Sequence, residues 1–151
     1  MNKDELFMAE AIKEAQRAAS EDEVPVGCVV VYENKIISRG HNQIERLKDP
    51  TAHAEMLALT SACAYLGTKW LNNTSVYVTI EPCSMCAGAM VLARVKNLIY
   101  GADDPKTGAC GSVINIARYE KLNHRLQIKK GVLKEDCALL LKDFFKQKRK
   151  Q

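Results

Sequence analysis

His53-Ala54-Glu55 and Pro82-Cys83-Ser84-Met85-Cys86 are the two stretches of this 151-residue chain whose residue types could do chemistry together. One imidazole and two thiolates are three ligands of the softness that zinc prefers, and two thiolates bring a divalent ion close to neutrality. A C-x-x-C pair at a helix start lies beside free backbone N–H groups and the positive end of the helix dipole, which favours the thiolate. Structural zinc sites take four protein ligands, whereas catalytic sites take three and keep a position for water. No second C-x-x-C exists; Cys28, Cys63, Cys110 and Cys137 stand alone, as do His41 and His124. Glu55 is awkward as a further ligand on the same turn as His53, and better placed to hydrogen-bond a water in the fourth position. The pattern is that of an open metal site with a base beside it.

The remaining cysteines and histidines read differently. Cys63 and Cys137 fall on apolar helix faces and Cys28 within a strand, where cysteine behaves as a small core residue. Cys110 sits in a glycine-rich loop and is expected to have no role. His41 and His124 are expected to be hydrogen-bonding structural residues.

Elements that could position these groups follow from periodicity. Met8, Ala11, Ile12, Ala15, Ala18 and Ala19 mark an amphipathic helix over 4–20, with Asn2 and Glu5 as its capping pair. Residues 26–32 and 35–40 read as a hairpin turning at Glu33-Asn34. A helix over 51–66 closes at Gly67 and puts His53 in its first turn. A strand over 76–80 runs into a helix over 83–93, with Pro82 suited to that first turn. A strand over 97–100, the loop GADDPKTGACGS, a strand near 126–129 and a helix over 134–148 complete the order. Such alternation implies a three-layer αβα sandwich around a mixed five-stranded sheet, with ligands at the strand-to-helix turns.

Composition bounds the class. Hydrophobic residues make up 47% and charged residues 26%, as in ordinary globular domains, which excludes disordered and collagen-like chains. One domain over 1–151 is expected at this length. The longest uncharged stretch, 56–68, is too short to span a membrane. The N-terminal residues have no secretory or transit character, so a cytoplasmic protein with reduced thiols is expected. The net charge of +4 is concentrated at Lys142, Lys146, Lys148, Arg149 and Lys150. A basic end of this kind fits an anionic partner or a merely solvated face.

Longer strings carry a resemblance. EVPVGCVVV (23–31), GHN ending at Asn42, PTAHAE (50–55), EPCSMCAGAM (81–90), YGADDPKTGACGS (100–112), NHR (123–125) and DFFK (143–146) occur in that order. Over nearly the whole chain they resemble the cytidine-deaminase-like superfamily of zinc nucleobase deaminases, and within it the bacterial tRNA adenosine deaminases. The zinc motif alone is shared by deaminases of several rings; the Asp-Pro-Lys-x-Gly loop and the basic end after DFF tilt the reading toward tRNA. The resemblance implies one Zn²⁺ per subunit on His53, Cys83 and Cys86, with Glu55 shuttling a proton as hydroxide attacks adenine C6 and ammonia leaves. It implies substrate contacts from Asn42 and the Ala54 backbone, from Asp103, Asp104 and Lys106 beside the flanking nucleotides, and from Phe144 and Phe145 on the closing helix. A homodimer acting on the wobble adenosine of an arginine tRNA anticodon stem-loop is implied too, with no nucleotide cofactor. Cys28 stands where the family has alanine, and the basic end is short for the family.

Blander readings stay open beside these. Asp103-Asp104-Pro105 reads equally as a turn with an Asx cap, and one or both phenylalanines as core. A free-base guanine or cytosine deaminase shares every zinc residue. A non-catalytic RNA-binding module with structural zinc leaves Glu55 without a purpose.

Overall fold

In a computed structural model, which describes residues 1–151, a five-stranded sheet separates two layers of helices. Helix α1 (Lys3–Ser20) leads into the hairpin β1 (Gly27–Tyr32) and β2 (Lys35–His41), followed by a single-turn helix α2 (Ile44–Leu47). Helix α3 (Ala54–Leu66), β3 (Thr74–Ile80), α4 (Ser84–Ala93), β4 (Asn97–Ala102), β5 (Gln127–Lys130) and α5 (Lys134–Arg149) complete the chain. The strand order is β2-β1-β3-β4-β5. Strand β1 is antiparallel to both its neighbours, while β3, β4 and β5 run parallel. No helix is long and apolar enough to cross a membrane.

Two-residue alternation sends successive side chains to opposite layers. Cys28, Val30, Val76, Val78, Leu98 and Tyr100 pack with Ala58, Leu59 and Ala62 of α3 and Ala87 and Met90 of α4. Val29, Val31, Tyr77 and Ile99 pack with Met8 and Ala11 of α1 and Cys137 of α5. Both faces of the central strands are therefore covered, which is why β1 and β3 read as near-continuous apolar runs.

Local chemistry fixes the boundaries. Asn2 and Glu5 form a reciprocal capping box on α1. Glu33 and Asn34 both adopt positive φ, 51° and 63°, the backbone that a two-residue hairpin turn with native twist needs. Gly67 ends α3 in the left-handed conformation. The short helix α2 was not foreseen from periodicity. Its cause is the buried carboxylate of Glu23, which accepts the Glu45 and Arg46 amides at 3.1 and 2.8 Å.

Two helix starts lie later than the sequence implies, and both shifts matter. Helix α3 starts at Ala54, not Thr51, and α4 at Ser84, not Cys83. His53 and Cys83 are consequently the N-cap residues, with extended backbone, and Pro82 precedes the cap instead of occupying the first turn. Strand ends differ by one or two residues, as β3 and β4 reach Thr74 and Ala102.

Close backbone approach sets where α3 stands. A Cβ at Gly40 would lie 2.4 Å from the Ala54 carbonyl oxygen and 2.9 Å from the Ala58 nitrogen. The only relief is to move the helix that carries His53 and Glu55 away from β2. Gly40→Ala is expected to cost roughly 1–3 kcal/mol as overpacking, read as a lowered urea midpoint with an unchanged slope.

Candidate metal centre and substrate cavity

Two helix N-termini meet beyond the ends of β2 and β3, and their N-cap side chains do not do a cap's usual work. Neither His53 nor Cys83 makes a side-chain capping hydrogen bond at the start of its helix. Each turns toward the other instead. His53 Nδ1 lies 3.6 Å from Cys83 Sγ and 3.6 Å from Cys86 Sγ, and the three donor atoms all fall within 4.8 Å of one another. Ligands at 2.0–2.1 Å (nitrogen) and 2.3 Å (sulfur) from one tetrahedral zinc would stand about 3.6 Å apart. The donor set and its spacing fit that ion.

The titration behaviour of the cluster matches its geometry. A hydrogen bond from Cys86 is the largest influence on Cys83; with His53 it outweighs burial and draws the Cys83 thiol down to about 4. Cys86 moves the other way, raised by the Cys83 sulfur and then by burial. His53 is raised, chiefly through its hydrogen bond with Cys83. Glu55, 3% exposed, is pushed up to about 7, with burial the leading cause.

Asn42 links β2 to this centre. Its Oδ1 accepts the Ala54 N–H at 2.8 Å, capping α3 from outside the helix. The Nδ2 amino group is what Asn42 has left to offer a ligand. Ala54 itself is fully buried, with its N–H taken up by Asn42. The Ala54 amide, expected beside the ring, donates here to Asn42.

A cavity of about 400 Å³ opens over the centre, within the size range of small-molecule sites. His53, Glu55 and Cys83 line it together with Asn42. Val24, Val26 and Ile80 give an apolar flank, Asp104 to Thr107 one wall, and Leu141 and Phe145 the wall opposite α3. Lys106 and Phe145 also border a second hollow with Lys148 and Arg149.

Two expected contacts, Asp103 and Phe144, do not line the cavity. Asp103 turns from the cavity toward Lys130 and Lys134, at 3.7 and 3.9 Å. Phe144 stacks edge-on with Phe145 but does not line the cavity. Asp104 does line it, yet its carboxylate accepts the Lys106 and Thr107 amides and the Thr107 hydroxyl, the Asx turn that the Asp-Pro step allowed. In the basic end, Lys148 pairs with Asp22 at 2.6 Å, so that cation is not free.

The isolated residues behave as their surroundings dictate. Cys28 and Cys137 are buried, and Cys63 packs at the core margin. Cys110 is buried against the Pro82 carbonyl, outside the donor cluster. His41 pairs with Glu21 at 2.9 Å, and His124 binds the Val95 carbonyl.

Glu81 is the residue that periodicity missed. It is 1% exposed and lies at the cavity edge. Burial would raise its pKa, but hydrogen bonds from Ser112 and from the Asp104, Ser112 and Cys110 amides outweigh it and hold the group below the usual range. A charged residue directly before Pro-Cys, at the end of an apolar strand, is the signal that could have found it.

Comparison with known proteins agrees with the fold. Residues 1–149 match the model of the MafB19-like deaminase family, which makes the class a deaminase. A Bacillus subtilis protein named tRNA-specific adenosine deaminase is 48% identical over 151 residues, all of this chain and 94% of that one. An Aquifex aeolicus protein of the same name is 49% identical over 96% of this chain and 95% of its own. A solved structure from studies of A-to-I editing by tRNA:A34 deaminases superposes with a TM-score of 0.87 at 40% identity, covering 89% of this chain and 98% of that one. The chain belongs to the family of these tRNA-specific adenosine deaminases.

A metal held by His53, Cys83 and Cys86 has a direct consequence. Elemental analysis of the purified protein is expected to find one equivalent of zinc per chain, with Cys86→Ser retaining a small fraction of it.

Proposed function

We propose that the protein is a zinc-dependent hydrolase that converts adenosine to inosine at the wobble position of a tRNA anticodon, releasing ammonia. The observation that carries this reading is the buried Glu55 carboxylate in one cavity with the His53 and Cys83 donors, where burial raises it from the ordinary carboxylate range. An acid–base group works best with a pKa near the operating pH.

His53, Cys83 and Cys86 would hold the zinc ion, which when bound supplies the Lewis acidity that brings a water's pKa from 15.7 toward about 7. Glu55 is placed to take one proton from the attacking water and hand it to adenine N1 as the water oxygen bonds to C6. It then takes the remaining proton of the new C6 hydroxyl and delivers it to the amine, so that the C–N bond breaks, ammonia leaves and the C6 carbonyl of inosine remains. Asn42, its Oδ1 fixed by the Ala54 amide, presents Nδ2 as a donor that orients the ring. Val26 and Ile80 give the ring apolar contact. A base splayed from an anticodon loop enters such a cavity without the cost of opening a duplex.

The tRNA assignment is supported by the second hollow, where Lys106 and Arg149 lie beside Phe145, a pairing of cations and an aromatic face that suits a single strand. An arginine tRNA and a homodimer belong to the same proposal. The dimer has support in exposed apolar side chains on α4 and in the loop after β4, namely Leu92, Val113 and Ile114.

An anticodon stem-loop bearing a wobble adenosine is expected to yield inosine faster than free guanine or cytosine yields ammonia. The reverse order of rates would sink the reading in favour of a free-base deaminase. Glu55→Ala should lower turnover on that stem-loop by about 10²-fold or more while metal content and melting are retained. Truncation after Phe145 removes Lys146, Lys148, Arg149 and Lys150. It should weaken stem-loop binding and flatten its salt dependence by up to about one phosphate contact per lost cation, fewer if the Lys148–Asp22 pair persists.

A further inference from the structure

A single buried carboxylate gathers the loop that walls the cavity. Glu81 Oε1 accepts the Asp104 N–H at 3.0 Å and the Ser112 hydroxyl. Oε2 accepts the Cys110 N–H at 3.0 Å and the Ser112 N–H at 3.1 Å. Each oxygen thus serves two donors, and a carboxylate has about four acceptor sites in all. No lone pair remains for a substrate proton, which separates Glu81 from Glu55.

The donors come from positions 104, 110 and 112, so the loop between them is wrapped around one anion. Gly108 lies against it so closely that a Cβ there would stand 2.4 Å from the carboxylate carbon. Two backbone bonds reinforce the clamp, from the Glu81 N–H to the Ala102 carbonyl at 2.8 Å and from the Ala109 N–H to the Pro82 carbonyl at 2.9 Å. The loop so held supplies Asp104, Pro105, Lys106 and Thr107 to the cavity. Backbone amides in an irregular loop have no ladder to satisfy them, so a buried acceptor is their alternative to exposure.

We infer that Glu81 is a positioning residue that fixes the 104–112 loop as the substrate wall, so that its loss weakens stem-loop recognition while leaving the metal centre and the chemical step in place. The inference rests on the proposed tRNA reading for its kinetic part and on the fold alone for its structural part.

Glu81→Gln keeps the shape but turns an NH2 group toward amide donors. The first readout is amide hydrogen exchange at residues 104, 110 and 112, which needs no substrate; the second is KM and kcat on a wobble-adenosine stem-loop, with metal content measured alongside. The expected result is exchange at those amides faster by about tenfold or more, the scale set by leaving buried donors unsatisfied. KM should rise about tenfold with kcat changed by less than about twofold, the signature of lost binding common to ground and transition states. Metal content should be unchanged. Ser112→Ala, which removes one side-chain donor, should give smaller shifts of the same sign, and it decides the matter if Glu81→Gln does not fold.

Unchanged exchange in a folded Glu81→Gln would overturn the inference. So would faster exchange with an unaltered KM, or a fall in metal content and kcat at constant KM, which would put Glu81 in service of Cys83. If Glu81→Gln is unfolded, a Ser112→Ala protein identical to wild type in both readouts overturns it as well. A wild-type protein that makes no inosine would count against the tRNA reading alone, because the exchange result still decides the clamp.

Discussion

Helix N-termini carry unpaired N–H groups and partial positive charge, and two of them converge here at one edge of the sheet. That convergence is the constraint from which the rest of the site follows. It is tolerable because the groups placed between the helices are two sulfurs and a carboxylate, and because Asn42 relieves one exposed amide from outside. The cap positions go to His53 and Cys83, residues that do not cap. Local helix stability is given up at the start of α4, at about 1 kcal/mol by the usual loss of a good cap, while Asn42 offsets the loss at α3. What is gained is a donor cluster held by two rigid elements, steadier than a cluster on loops.

Three glutamates are almost completely buried, and their surroundings divide their work. Glu23 accepts two amides and makes α2; Glu81 accepts three amides and a hydroxyl and holds the loop after β4. In both, protein donors take the place of hydration, which is what makes a buried polar group tolerable. Glu55 has no such set of loop amides, and burial raises it toward neutrality. One residue type thus serves twice as a hub for loop amides and once, at Glu55, as a cavity carboxylate beside the donor cluster. Counting hydrogen-bond donors around each carboxylate tells the roles apart.

The sequence was most legible where periodicity and spacing act over short range. The layered sheet, the hairpin at Glu33-Asn34, the capping box at Asn2, and the His53, Cys83 and Cys86 cluster could all be read from neighbouring residues. The helix starts could not be placed to the residue, because Thr51 and Ala52 are compatible with a helix while the chain must stay extended for His53 to face the sulfurs. The direction of Asp103 was not legible for a related reason. Adjacent acidic residues in a loop carry no mark of which faces the cavity, and the lysines that draw Asp103 away come from β5 and α5. Glu81 escaped notice because its partners lie 23 to 31 residues downstream and are mostly backbone amides, which every residue possesses.

Strand order has a bearing on how the centre comes into being. His53 follows β2 and Cys83 follows β3, but β1 lies between those strands in the sheet. The imidazole and the thiols therefore meet only once β1 has paired on both its edges, a set of non-local contacts that close slowly compared with helices. Before that moment the Cys-x-x-C pair exists without its third donor, and a soft metal ion finds only half a site. Tight capture is thereby deferred until the sheet is assembled, and an ion that then binds the native arrangement draws the folding equilibrium toward it. The interleaved strands thus make the complete set of donors a property of the assembled sheet and not of any one segment.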